Sequence, residues 1–221
     1  MKIFWLVLYI VASAIHLYHS WKDDANKRRL TKPFLLVFLI LFYLFSAKQI
    51  KIFLLLALIF SWLGDVLLIP KGHGWFTAGG ISFLFSHIFF ILTYTDHILY
   101  ENVVWLIVIP AAILYYAVAL LIIRALKDTT PKPMVVPMYL YLIANSTMNL
   151  FALMQLFSHR NGAAWVAFIG AVLFYISDCT LFLVRYYKKN QDLIFKKHFT
   201  VMATYLAGEL LIVLGVLGLA G

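Results

Sequence analysis

Two aspartates sit where a chain ordinarily places none. Asp65 lies in "LLLALIFSWLGDVLLIP", Leu54 to Pro70, and Asp178 in "AVLFYISDCTLFLV", Ala171 to Val184, each with apolar residues on both sides. A third acid, Glu209, stands in "YLAGELLIV". An ionised carboxylate in hydrocarbon costs about 2.5 to 3.5 kcal/mol even on insertion scales, so such groups face a bundle interior or a wet cavity and mark function by default. Two carboxyl groups in one cavity can divide acid–base work. One keeps its proton at neutral pH and donates it; the other stays ionised to stabilise a cation or take a proton from water. The plainer alternative is a polar clamp between helices, and recurrence of the pattern weighs against it.

Other polar side chains keep company with these acids. His87 stands in "FLFSHIFFIL", Asn145, Ser146 and Asn149 share a helical face, Ser177 precedes Asp178, and His16 and Tyr205 lie in apolar runs of their own. A lone histidine in an aromatic-rich bundle often serves only to bond a neighbouring carbonyl. The single Cys179 excludes an intrachain disulfide and a cysteine-based metal cluster. No Gly-rich phosphate loop, nucleophile elbow or His-Glu-x-x-His helix occurs, and the histidines are too scattered to suggest a metal. Neither a metal nor a cofactor is expected. The Asn-Ser-Thr at Asn145 lies inside an apolar segment and is discounted as a glycosylation site.

The elements that must hold these groups are membrane helices. The chain of 221 residues is 64% hydrophobic and 12% charged, with a mean hydropathy of +0.94, against roughly 25% charged residues in a soluble domain. At about 20 residues per span there is room for eight or nine spans and for no soluble domain. The reading is an all-α polytopic membrane bundle, a single integral membrane domain over 1–221. Eight segments are expected: Lys2 to Trp21, Pro33 to Ala47, Ile52 to Pro70, Trp75 to Thr95, Val103 to Ile123, Met134 to Phe157, Ala164 to Tyr187 and Phe199 to Ala220. The first is taken as a span and not a signal peptide, despite its Ala-Ser-Ala.

With eight spans, fourteen of the eighteen Lys and Arg fall on one side: Lys22, Lys27, Arg28, Arg29, Lys32, Lys71, Arg124, Lys127, Lys132, Arg185, Lys188, Lys189, Lys196 and Lys197. Lys2, Lys48, Lys51 and Arg160 fall on the other. The positive-inside rule makes the first side cytoplasmic and both termini non-cytoplasmic. The net charge of +9 then reflects topology, and no nucleic acid is expected as a partner. The membrane is the inner (plasma) membrane for a bacterial chain, or the endoplasmic reticulum for a eukaryotic one.

The acid-bearing spans are the third and seventh, four apart and parallel, as a duplicated four-helix unit would place them, with halves 1–100 and 101–221. Lys32-Pro33 opening the second span and Lys132-Pro133 opening the sixth agree with this, since proline is tolerated just inside a helix start. Counted inward at about 1.5 Å per residue, Asp65 lies about 8 Å deep and Asp178 about 14 Å deep. Glu209, His87 and the Asn145 face come out near the middle, so the polar groups reach a common zone in the bilayer, within reach of lipid and water.

At these residues the chain resembles the YhhN family of multi-pass membrane proteins, whose members include lysoplasmalogenases. The resemblance rests on "TKP" in the second span, "FSWLGDVLL" in the third, "GGISFLFSHIFFILTY" in the fourth, "AVLFYISDCTLFL" in the seventh and "TYLAGELLI" in the last, and covers nearly the whole chain. Glu209 departs from it, for the resemblance implies an uncharged polar residue such as Gln there. What it implies is hydrolysis of the vinyl ether at the first carbon of a lysoplasmalogen, releasing a fatty aldehyde and glycerophosphoethanolamine or glycerophosphocholine. Asp65 and Asp178 would be the catalytic pair, their roles open. His87 would orient water or an acid, and Tyr205 would bond the substrate. Lys32, Lys71 or Arg185 would meet the headgroup phosphate of this lysophospholipid, with Glu209, Asn145 and Ser177 as supporting polar groups. The competing class is a proton-coupled small-molecule or lipid transporter using the acids as a relay. An assembly subunit would leave the acids without a purpose. The oligomeric state is open.

Overall fold

Local chemistry sets most helix boundaries. Asp24 caps a helix by accepting from Lys27 N at 3.2 Å, and Asn161 caps another by accepting from Ala164 N at 2.9 Å. The Lys27 backbone bond holds the Asp24 carboxyl below the usual aspartate range. Proline occupies the first turn of the helix that begins at Lys132. The computed structural model describes residues 1–96, 98–188 and 193–220; Lys189, counted above with the basic side, lies outside them.

Eight α-helices result among the described residues: α1 (Lys2–Trp21), α2 (Ala25–Ser46), α3 (Ile52–Leu67), α4 (His73–Thr95), α5 (Trp105–Leu126), α6 (Lys132–His159), α7 (Gly162–Tyr186) and α8 (Lys197–Leu219), with a 3₁₀ turn at Tyr100–Asn102 before α5. No strand occurs among the described residues. Seven of the helices are long and apolar enough to cross a membrane, which makes the protein a multi-pass helical bundle.

Two expectations change. The second segment starts at Ala25 and not at Pro33, because the Asp24 cap precedes it; Pro33 therefore sits inside α2, whereas Pro133 opens α6. The two prolines do not occupy equivalent places. Pro33 instead presents its carbonyl to Trp62 Nε1 at 2.8 Å, tying α3 to α2. The short helix is α3, 16 residues long, which stops at Leu67 ahead of Pro70, since a residue before proline is pushed out of helical geometry. Asp65 thus stands in the last turn of α3, about 3 Å along the axis from its end. Asp178 stands about 12 Å from the end of α7.

Helix neighbours repeat through the chain: α1 packs on α2 and α3 on α4, as α5 packs on α6 and α7 on α8. The α7–α8 seam is the tightest, because it is lined by glycine. A Cβ on Gly170 would come within 2.6 Å of Ile212 N, and one on Gly208 within 2.9 Å of Gly170 O. Small residues let helix backbones approach in a membrane, where no hydrophobic force draws them together. Gly64 does the same for α3 and α4, admitting the Phe83 ring to where a side chain would be.

Candidate active site

The acids reach one place because three helix pairs are pinned beside them. On α3 and α4, Ser82 donates to Phe60 O at 2.7 Å and Ser61 Oγ lies 2.7 Å from Ser86 Oγ. Those bonds fix the face of α4 that carries His87. Across α7 and α8, Ser177 donates to Val201 O at 2.9 Å, placing Asp178 and Tyr205 on the same side of the seam. Tyr9 of α1 donates to Leu206 O at 2.7 Å and anchors α8 from the opposite face.

Between these pairs lies a cavity of about 510 Å³ lined by Asp65, Asp178, Ser177, Tyr205, Phe76, Phe83 and Lys32, and reaching Arg185, Lys197 and His198 at the basic end. The two carboxyl groups have different surroundings. Asp65 has a donor on each oxygen: Lys32 Nζ is 3.1 Å from Oδ1, and the Tyr205 hydroxyl donates to Oδ2 at 2.9 Å. Both contacts favour the carboxylate form. They also offset the unfavourable position of an anion at a helix C-terminus.

Asp178 faces an imidazole. Asn145 Nδ2 donates to its Oδ2 at 3.1 Å, and His87 Nε2 lies 3.1 Å from the same oxygen, not aligned as a made hydrogen bond. His87 Nδ1 is 2.6 Å from the Phe83 carbonyl, which can only accept, so Nδ1 carries a hydrogen. Nε2 is then the ring nitrogen that faces the Asp178 carboxyl. Tyr141 packs edge-on to His87 at 5.0 Å with its hydroxyl toward Asp178, and Phe174 closes the other side at 5.1 Å from the His87 ring.

Most expected site residues meet here: Asp65, Asp178, Lys32, Ser177 and Tyr205 line the cavity, with His87 and Asn145 directly behind Asp178. Glu209 does not line it. His16 lines an adjoining cavity of about 520 Å³ whose wall includes Arg28, Arg29, Lys32, Lys71, Arg185 and His198. Arg28, Arg29, His198 and Tyr141 join the site although no sequence motif marks them. The two arginines lie in the same basic run as Lys32, but side-counting treats every cation alike. Among the described residues, no three His, Cys, Asp or Glu side chains gather as a metal site would require.

A family model, the YhhN family, matches residues 27–216, most of the chain. The chain belongs to the YhhN family. This is the lysoplasmalogenase family. No curated protein and no solved structure matches the chain. Within the YhhN match fall Asp65, Asp178 and Glu209, together with His87, Lys32 and Tyr205.

Proposed function

We propose that this protein hydrolyses the vinyl ether of a lysoplasmalogen, with Asp178 and His87 as the proton-donating pair and Asp65 as the ionised partner. The observation that carries this reading is the contrast between the two carboxyl groups in one cavity: Asp65 is supplied with donors on both oxygens, and Asp178 faces an imidazole nitrogen at 3.1 Å.

The proton that the proposed Asp178–His87 pair carries passes to the outer carbon of the substrate's double bond, leaving an oxocarbenium ion whose charge the Asp65 carboxylate stabilises. Water bonds to the cationic carbon and releases a proton to Asp65, giving a hemiacetal. The hemiacetal hydroxyl returns its proton to the Asp178–His87 pair, the carbon–oxygen bond to glycerol breaks, and Asp65 hands its proton to the departing oxygen. Aldehyde and glycerophospho-alcohol leave, and both acids are restored. General acid–base steps of this kind contribute about 10²- to 10⁴-fold each.

The adjoining basic cavity suits the headgroup. Its Arg28, Arg29, Lys71 and Arg185 meet a phosphodiester at the mouth of an apolar slot walled by Phe76, Phe83, Leu181 and Met202. Lys32, tied to Asp65, is a weaker candidate for that role than its neighbours. Because the cavity reaches the basic end, the orientation above delivers substrate from the cytoplasmic leaflet.

The deciding experiment is aldehyde release from a defined 1-alkenyl lysophospholipid by purified protein, with Asp65→Asn and Asp178→Asn compared at matched folding. Loss in both supports the paired mechanism, and full activity in either one refutes it. Uptake of the lipid into proteoliposomes without product would favour transport.

A further inference from the structure

Glu209 is unused by this chemistry. It lies on α8 one turn beyond Tyr205, away from the basic end, and is wholly buried. Neither carboxyl oxygen has a hydrogen-bond partner among the described residues, and the equally buried Tyr94 hydroxyl has none either. The two share a neighbourhood. Glu209 interacts electrostatically with Tyr94 of α4, Tyr9 of α1, Tyr205 of α8, Asp65 of α3 and Asp178 of α7.

The nearby tyrosine hydroxyls are committed elsewhere: Tyr9 donates to Leu206 O, and Tyr205 donates to Asp65. Ser61, paired with Ser86, faces the Glu209 carboxyl and can supply at most one of the bonds it lacks. Protonating Glu209 does not remove the deficit, since a carboxylic acid still offers a donor and an acceptor. Buried polar atoms in this condition are ordinarily satisfied by ordered water, which takes about three hydrogen bonds from groups of this kind.

The reaction proposed above consumes one water per turnover. A lysolipid filling the cavity also fills the approach by which bulk water reaches Asp65 from the basic end. Tyr205, whose hydroxyl bonds Asp65, lies one turn of α8 before Glu209, with Phe83 and Phe174 at 5.9 and 5.3 Å from its ring. Water held on the Glu209 side is therefore one side chain away from the carboxylate that must deprotonate it.

We infer that Glu209, Tyr94 and the Ser61–Ser86 pair form a buried water-binding site behind Tyr205, which supplies the hydrolytic water to Asp65 while lipid occupies the cavity. The supply role rests on the hydrolase reading; the water site does not.

X-ray radiolytic hydroxyl labelling with mass spectrometry tests the site directly, because water bound inside a protein oxidises the side chains beside it. In the wild-type protein, Tyr94 is expected to label several-fold faster than Phe90, which is equally inaccessible. Glu209→Leu is expected to bring Tyr94 down to the Phe90 rate, while Glu209→Gln, whose amide also bonds water, preserves it. Equal rates for Tyr94 and Phe90 in wild type overturn the site whether or not the leucine variant folds. Unchanged Tyr94 labelling in a folded Glu209→Leu protein overturns it too.

A saturating 1-alkyl lysophospholipid, which has no vinyl group to hydrolyse, tests the supply role. Labelling of Met202 in the cavity is expected to fall with Tyr94 unchanged; loss at both positions overturns the supply route. Glu209→Leu should lower kcat and leave KM unchanged. If the wild type releases no aldehyde while Tyr94 still labels, the hydrolase reading and the supply role fall and the water site stands.

Discussion

Lys32→Met leaves a carboxylate that is 3% exposed with Tyr205 as its remaining donor among the described residues. Removing one partner of a buried ion pair costs about 3 to 5 kcal/mol, because the other charge stays buried and uncompensated. Asp65 keeps its tyrosine bond and faces a cavity, which places the expected loss near the lower end, about 3 kcal/mol. The reverse change, Asp65→Asn, is milder. Lys32 is 17% exposed on its side chain and can swing its ammonium toward the basic end, so a loss of about 1 to 2 kcal/mol is expected. In the double variant no charge is stranded, and the cost should fall short of the sum by about 2 kcal/mol, within the range for directly contacting residues. Reversible unfolding in mixed micelles, followed by circular dichroism for wild type, both single variants and the double, measures that coupling. A coupling below about 0.5 kcal/mol, the scatter expected of independent sites, would refute the claim that Lys32 holds Asp65 ionised. The assignment of Asp65 as the partner to the proton donor would fall with it.

Four further outcomes are expected. His87→Phe retains the ring packing against Tyr141 and Phe174 but removes both nitrogens, so kcat should fall by about 10² to 10⁴ while affinity for the 1-alkyl analogue, read by isothermal titration, is kept. Gly170→Val drives a branched side chain into the backbone of α8, and the unfolding assay should show a loss of about 1 to 3 kcal/mol or more. Arg28→Gln with Arg29→Gln should raise KM for the lysolipid several-fold with kcat held, and the effect should shrink at high salt as screening weakens the phosphate contact. Asp24→Ala should lower the melting temperature at neutral pH. Since the Asp24 carboxyl is held below its unfolded value by the Lys27 backbone bond, its contribution is present above that value. It is lost as the pH falls below about 4, where the two melting curves should converge.

Membrane character, the helix count and the two acid-bearing helices were all legible from local information. Hydropathy is additive along a chain, and a carboxylate among leucines is conspicuous to any reader of one dimension. Asp24, Pro70 and Asn161 also carry boundary signals, and reading them would have moved the start of α2 to Ala25 and the end of α3 to Leu67. His87, Tyr205 and Asn145 were named as candidates for being polar in apolar runs, and they do meet the acids. Their partners were not legible: Tyr205 and Asp65 are separated by 140 residues.

Tertiary packing decided how the polar groups are distributed. Glu209 has the same credentials in sequence as the aspartates, yet it lies behind Tyr205 and outside the cavity, because α8 presents Tyr205 and Glu209 at successive turns and the cavity ends at the first. The unlike surroundings of Asp65 and Asp178 have the same origin. Both are aspartates flanked by apolar residues, and what separates them is a lysine from α2 and a tyrosine from α8 on one, a histidine from α4 and an asparagine from α6 on the other. Hydrophobicity and propensity are properties of neighbours in the chain; the protonation state of a buried acid depends on donors that only the fold brings to it.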